Sequence, residues 1–225
     1  MSANLKHDFT MEALVVGINY YPSQTTLKNL TAAANDAEEI ARQLEHFGYR
    51  SFRVQRLPRH ANQKGEWQIN PDEGGRHEEL KAAMSNLLMP PDGKSPEIAV
   101  FFFSVHGWRR QVNGKDELCL ATSDVLLSES IYGVEISWLG NLMQTSPVKK
   151  LIIWLDCCYS GESIEYLPTN KDYCIFTATR SYEPGIEIRH QQGLFTQALT
   201  EGLNPNNDPD GWVDSHKLAK YIQNR

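Results

Sequence analysis

Long apolar runs are absent from this sequence of 225 residues. No stretch approaches the roughly 20 apolar residues that a helix needs to cross a bilayer. Residues 1–10 are polar, whereas a secretory signal has an apolar core. We therefore expect no membrane association, a cytoplasmic location and a flexible N-terminal tail over residues 1–10.

Cysteine and positive charge are also scarce. The four cysteines, at positions 119, 157, 158 and 174, have neither the spacing of a disulfide framework nor the paired CxxC spacing of a zinc site. We expect free thiols and no structural metal. The formal net charge of −6 argues against nucleic acid as a partner, because nucleic-acid-binding surfaces are basic. The sequence also lacks the glycine-rich phosphate loops of nucleotide-binding doubly wound domains.

The sequence does contain alternating strand and helix patterns. Such alternation predicts right-handed βαβ crossovers and a mostly parallel sheet covered by helices. We expect one α/β domain over residues 11–225, as a whole protein or as part of a longer chain. The strand patterns are Glu12 to Asn19, Tyr49 to Arg56, Ile98 to Phe103, Leu118 to Ala121, Leu151 to Leu155 and Cys174 to Ala178. The helix patterns are Leu30 to Phe47, Glu78 to Met89, Ile136 to Met143, Gly193 to Glu201 and Ser215 to Arg225, and residues 57–76 form a polar connection.

Two polar motifs follow the most apolar strand patterns, namely SVHG at 104–107 and DCCYSG at 156–161. Because sites in open α/β sheets form beyond the carboxyl ends of the strands, we expect His106 and a cysteine at the same rim. An imidazole that accepts a thiol proton creates a strong nucleophile. His106 and Cys158 meet that need, and the 52 positions between them leave room for a loop, a helix and the next strand. The N–H groups of Gly107 and Cys158 are placed to stabilise an oxyanion.

The chain resembles the caspase-like cysteine peptidases, most closely the metacaspases and the bacterial orthocaspases. The resemblance implies a three-layer α/β sandwich of the caspase-hemoglobinase type and thiol protease activity on proteins. In the metacaspase pattern D-x-C-x-S-G the nucleophile is the third residue, which selects Cys158 over Cys157. Tyr159 departs from the His that commonly follows the nucleophile. The motifs that carry the resemblance are GINYY at 17–21, ANDA at 34–37, HG at 106–107, DCCYSG at 156–161, TATR at 177–180 and GLFTQAL at 193–199.

The same resemblance implies which residues select the substrate. Metacaspase-type enzymes line the S1 pocket with two aspartates, which match Asp36 and Asp156 here. Two carboxylates in a narrow pocket favour a P1 Arg or Lys and disfavour an acidic P1 side chain. Both aspartates also have structural interpretations, since Asp36 could cap or solvate its helix and Asp156 could hold its loop through backbone hydrogen bonds. Trp108, next to the HG motif, is equally compatible with packing and with substrate contact.

Calcium activates many metacaspases, but the sequence offers an incomplete ligand set. Asp124 and Glu129 lie in the corresponding stretch, and no Asp-Asp pair follows them. Calcium takes six to eight oxygen ligands. We therefore expect calcium-independent activity without a cofactor. The short connection between Gly161 and Tyr173 predicts a single-chain enzyme, with Lys171 as the candidate self-cleavage site, and the sequence leaves the oligomeric state open.

A different class of function is a catalytically silent caspase-like scaffold that binds a partner in a stress, death or defence pathway. The presence of both His106 and Cys158 argues against it, because inactive relatives usually lose one of these residues. Labelling with an electrophilic peptide ketone discriminates between the two, since a scaffold would not react at one thiol.

Overall fold

The computed structural model describes residues 10–46, 52–126, 131–158, 160, 166–178, 193–207 and 213–223. Parts of three predicted elements lie outside these residues: positions 1–9 of the tail, Phe47 at the end of the first helix, and positions 49–51 of the strand predicted to start at Tyr49. Glu129, Tyr159, Gly161 and the last two residues of the TATR motif also lie outside them. In chain order the strands and helices are β1 Met11–Gly17, α1 Ala33–Glu45, β2 Arg53–Leu57, β3 Arg59–Ala61, β4 Trp67–Ile69, α2 His77–Leu88, β5 Ile98–Ser104, β6 Gly107–Val112, β7 Lys115–Leu120, β8 Val134–Glu135, α3 Ile136–Thr145, β9 Lys150–Asp156, β10 Tyr173–Thr177, α4 Leu194–Leu203 and α5 Ser215–Gln223.

Within the described residues, five strands form a parallel sheet in the order β10-β9-β5-β1-β2. The central strands β1, β5 and β9 are apolar on both faces, as parallel strands covered by two helical layers require. Among the described helices, none has the length and apolar character needed for a membrane crossing.

Helices cover both faces of this sheet. One core contains side chains of α1, α4 and α5 packed against alternate residues of the central strands, including Val15, Phe102 and Trp154. The other contains α2 and α3 packed against the intervening residues, including Val16, Phe103 and Leu155. The two-residue period of a strand therefore assigns each strand residue to one helical layer. This three-layer α/β arrangement agrees with the architecture predicted from the sequence.

Two smaller sheets within the described residues were not predicted, although the strand pattern Leu118 to Ala121 overlaps β7 of one of them. The segment 57–76 was expected to be a polar connection, but Arg59–Ala61 and Trp67–Ile69 pair as a short antiparallel hairpin, β3-β4. The HG motif leads directly into β6, which pairs with β7, and β7 pairs with β8. Strands of three residues and half-buried polar strands carry little apolar alternation, so the sequence pattern gives few signs of them.

Candidate active site

The two motif strands end in register. Ser104 at the end of β5 pairs with Asp156 at the end of β9, and both are buried. His106 and Cys158 each follow this pair by two residues, so both leave the sheet at neighbouring points of the same rim. Neighbouring strands lie about 4.8 Å apart. The register thus brings the two motifs together, as the sequence argument expected.

Gly107 and Cys158 are in close backbone contact. A Cβ atom added at position 107 would lie 2.0 Å from the carbonyl oxygen of Cys158, a distance at which no side chain is tolerated. Only glycine therefore fits after His106, because the backbone of Cys158 occupies the space that a side chain would need. This contact places the backbone of the HG motif against the backbone of the predicted nucleophile.

The two adjacent cysteines occupy different environments. Cys157 is fully buried in the core beneath α2 and α3, whereas Cys158 is partly exposed at the rim. The core position of Cys157 is the one predicted for it. A thiol without solvent access cannot meet a protein substrate, so of these two thiols only Cys158 is positioned for chemistry.

The remaining two cysteines are free thiols with raised pKa values. Burial raises the pKa of the Cys119 thiol to about 12. Burial also raises the pKa of the half-buried Cys174 thiol on the edge strand β10. Because the thiolate is the reactive species, both are poor nucleophiles at neutral pH.

The His106 ring is oriented by a backbone carbonyl. Its Nε2 lies 2.8 Å from the carbonyl oxygen of Lys28. A carbonyl oxygen can only accept a hydrogen bond, so Nε2 carries the proton and donates it. In the neutral imidazole Nδ1 then holds the lone pair, which is the form a general base needs. Sequence reasoning missed Lys28, because a backbone carbonyl acts irrespective of residue type.

Tyr21 of the GINYY motif supports the same histidine. Its ring centroid lies 4.9 Å from that of His106, with the planes inclined by 59°. Its hydroxyl accepts a hydrogen bond of 3.4 Å from the His106 backbone N–H and donates one of 3.4 Å to the carbonyl of Ala121. Burial raises the pKa of this hydroxyl well above its usual value, so it remains a neutral donor.

The predicted S1 aspartates lie on the opposite side of the sheet from Cys157. Asp156 belongs to the same strand face as Trp154, which packs against the layer of α1, α4 and α5. Asp36 lies in the first turn of α1 and Asp156 at the end of β9, and each is 2% exposed. Two elements remote in sequence therefore contribute buried carboxylates to this side of the rim.

Both aspartates accept hydrogen bonds from the start of α4. The N–H of Gly193 donates to both carboxylate oxygens of Asp36, at 3.1 and 3.2 Å, and the hydroxyl of Thr196 donates to Oδ2 of Asp156 at 2.9 Å. Asp36 thus bonds the residue that precedes α4, and Asp156 bonds a side-chain hydroxyl of α4. Both acids therefore have structural partners in or next to α4, and the sequence did not indicate these partners.

The end of β1 allows α1 to approach closely. A Cβ at Gly17 would lie 2.4 Å from the carbonyl oxygen of Ala33, so only glycine permits this contact. The side chain of Asn19 accepts a hydrogen bond of 2.9 Å from the N–H of Ala34. The GINYY motif therefore fixes the start of α1, and with it Asp36, against the sheet.

Ser160 of the DCCYSG motif is fully buried. Its hydroxyl donates a hydrogen bond of 2.7 Å to the carbonyl of Ala178, which follows β10. This bond ties the segment after Cys158 to the end of the neighbouring strand.

The candidate calcium ligand Asp124 has another role. Its two carboxylate oxygens accept hydrogen bonds of 3.0 and 3.2 Å from the N–H of His77, the first residue of α2. Among the described residues, no group of three or more His, Cys, Asp or Glu side chains has an arrangement that could hold a metal ion. A calcium site built on Asp124 would compete with the cap of α2.

A family model for the caspase domain, peptidase family C14, matches residues 11–220. The chain belongs to the caspase-domain family. Its members are cysteine peptidases that act on protein substrates, and the α/β sheet with flanking helices has the caspase-like architecture. The resemblance noted in the sequence is thus confirmed at the level of this family.

Comparison with solved structures found the crystal structure of a protein from Geobacter sulfurreducens, with 16% sequence identity and a TM-score of 0.44. The match covers 67% of this chain and 51% of that chain, so it spans about half of the other protein. A comparison with curated proteins returned no match.

Proposed function

We propose that this caspase-domain protein is a metacaspase-like or orthocaspase-like endopeptidase that cleaves proteins after Arg or Lys through His106 and Cys158. The observation that carries the proposal is the contact between Gly107 and the Cys158 carbonyl, at the rim where β5 and β9 end in register. It joins the two motifs that the chemistry needs at one point of the sheet.

The proposed reaction begins with transfer of the Cys158 proton to Nδ1 of His106. The thiolate attacks the scissile carbonyl carbon, and the N–H groups of Gly107 and Cys158 donate to the resulting oxyanion. The imidazolium then returns its proton to the leaving amine, which breaks the peptide bond and leaves an acyl-enzyme. His106 next removes a proton from water, and the hydroxide attacks the acyl carbon. The C–S bond then breaks to release the acid, and the imidazolium returns its proton to the Cys158 thiolate. Throughout, Nε2 keeps its hydrogen bond to Lys28.

The basic P1 preference follows from the charge beside this centre. Asp36 and Asp156 are both almost fully buried, and a buried carboxylate attracts a guanidinium or ammonium group more strongly than an exposed one. A P1 carboxylate would be repelled by the like charge of either aspartate. We therefore propose protein or peptide substrates with P1 Arg or Lys.

The test is a fluorogenic peptide assay with matched P1-Arg, P1-Lys and P1-Asp substrates. We expect cleavage of the first two only, loss of activity in Cys158→Ala, and retention of most activity in Cys157→Ala as the matched thiol control. Preference for P1-Asp would contradict the proposed specificity. Failure of Cys158 to react with an arginyl chloromethyl ketone would favour the silent scaffold.

The same assay addresses calcium and self-cleavage. Because Asp124 already caps α2, we expect equal rates in chelator and in millimolar calcium. Activity that requires calcium would overturn this expectation. We also propose that the enzyme works as a single chain, since the Lys171 amine donates a hydrogen bond of 3.0 Å to the Ser146 carbonyl. A denaturing gel of the wild type beside Cys158→Ala should show one band of equal size for each.

A further inference from the structure

The first turn of α4 contacts both proposed S1 carboxylates. The N–H of Gly193 precedes the helix and donates to Asp36, while Thr196 lies one turn further along and donates to Asp156. A single short segment therefore bonds acids that come from α1 and from β9.

Of these two donors, Thr196 is the one that acts through its side chain. It is fully buried, and its Oγ1 lies 2.9 Å from Oδ2 of Asp156, itself 2% exposed. Threonine hydroxyls in helices often bond to a carbonyl of the preceding turn. Here the hydroxyl leaves its own helix and reaches the carboxylate. A hydrogen bond from a hydroxyl to a carboxylate is roughly twice as strong as one between neutral groups.

Removal of water from a carboxylate favours its neutral form unless donors replace the water. At Asp156 the Thr196 hydroxyl supplies one such donor from a helix packed on the same sheet face. The bond also restricts rotation of the carboxylate about its Cβ–Cγ bond. The charge and the orientation of the Asp156 carboxylate both affect how strongly it would bind a P1 guanidinium.

We propose that Thr196 is a positioning residue for P1 recognition: its hydroxyl holds the Asp156 carboxylate ionised and in a fixed orientation toward a basic P1 side chain. The inference rests on the proposed function, in which Asp156 binds that side chain. Thr196 does not touch the substrate, and it acts through Asp156.

The test compares Thr196→Val with Thr196→Ser, using peptides with P1-Arg and with P1-citrulline. Citrulline has nearly the shape of arginine and no charge. Valine keeps the branched shape of threonine without its hydroxyl, whereas serine keeps the hydroxyl. We expect Thr196→Val to raise KM for the P1-Arg peptide about tenfold with little change in kcat, and to lower the Arg-to-citrulline ratio of kcat/KM by a similar factor. Thr196→Ser should keep most of that ratio.

The outcomes separate this inference from the proposed function. A wild-type enzyme without preference for P1-Arg over P1-citrulline would refute the proposed specificity, and the role of Thr196 with it. A wild-type preference that Thr196→Val leaves intact would refute only the role of Thr196. Equal losses with both peptides in Thr196→Val, or equal losses in the valine and serine variants, would show a merely structural residue and also overturn the inference. The alkylation rate of Cys158 by iodoacetamide should be unchanged in both variants.

Discussion

The Cα of Gly107 lies against the carbonyl oxygen of Cys158, so closely that a Cβ on Gly107 would lie 2.0 Å from that oxygen. The contact involves backbone atoms on the Cys158 side, and backbone cannot move aside as a flexible side chain can. The position of the proposed nucleophile therefore depends on the absence of a side chain at position 107.

The first prediction concerns this glycine. Gly107→Ala must displace the segment that carries Cys158, and misplacement by about 1 Å can lower a rate roughly 100-fold. We expect such a loss in kcat/KM for a P1-Arg peptide, together with a lower Tm. Gly114→Ala is the matched control, because no atom lies within 4 Å of its Cβ position and only its φ of +77° opposes the change. It should lower stability by about 1 kcal/mol and leave activity intact. Full activity in Gly107→Ala would contradict the proposed site geometry.

The second prediction concerns thiol reactivity. Cys157 is buried, and burial raises the pKa of Cys119 to about 12 and that of Cys174 above its usual value. Cys158 is partly exposed beside the His106 segment. Substoichiometric iodoacetamide at neutral pH should therefore modify Cys158 first, as read by mass spectrometry of the digested protein. Replacement of His106 by Ala should slow that reaction, and predominant labelling of Cys174 would argue against an activated Cys158.

The central strands and the motif residues behind them could be predicted from the sequence for a physical reason. A parallel strand covered on both faces must be apolar throughout, which makes β5 and β9 conspicuous, and polar residues directly after such strands mark the rim. By contrast, the β3-β4 hairpin has three residues in each strand and charged or polar positions among them. Its formation depends on contacts with β2 and α1 that no local pattern encodes.

The partners of the site residues were less predictable. The carbonyl of Lys28 and the N–H of Gly193 are backbone groups, and every residue carries them. They reach His106 and Asp36 across 78 and 157 positions of sequence. The motifs indicate candidate side chains, but the donors and acceptors that orient them are known only once the chain is folded.

The third prediction concerns Tyr21. Tyr21→Phe keeps the ring against His106 and removes the hydroxyl that links the His106 N–H to the Ala121 carbonyl. A net hydrogen bond contributes about 1 kcal/mol, and the group left behind is buried, so we expect a loss of 1 to roughly 3 kcal/mol in the free energy of unfolding. Chemical denaturation measures this loss. If the hydroxyl also holds the histidine segment in place, kcat should fall several-fold at unchanged KM. An unchanged free energy of unfolding would contradict the hydrogen bonds of the Tyr21 hydroxyl.

The fourth prediction concerns the buried Arg56, which joins β2 to α1. Its guanidinium forms ion pairs with Glu38 at 3.1 Å and with Glu45 at 2.6 Å, and its own side chain is 5% exposed. Removal of one partner from a buried ion pair costs roughly 3–5 kcal/mol. Arg56→Met leaves two glutamates facing an apolar side chain, so we expect a loss of about 3 kcal/mol in the free energy of unfolding. A loss below about 1 kcal/mol, typical of exposed pairs, would contradict the burial of this group.

The same cluster predicts a pH dependence. The hydrogen bond from Arg56 lowers the pKa of Glu45 in the folded protein. A carboxyl with a lowered folded-state pKa stabilises the fold at pH values above its unfolded pKa of about 4.3, and the contribution is lost as the pH falls through the folded value. The difference in stability between wild type and Glu45→Gln should therefore be largest near neutral pH and shrink in acid. A difference that grows in acid would have the wrong sign.

The different burial of the two neighbouring cysteines also affects how the protein would tolerate peroxide. Cys157 is buried in the core, Cys119 is buried, and Cys174 pairs with Ile152, which lies about 13 Å of strand before the end of β9 at Asp156. We therefore expect that none of the three other cysteines resolves a sulfenic acid formed on Cys158. Its recovery would depend on an external reductant such as glutathione, and without one the oxidation would proceed to the irreversible sulfinic acid.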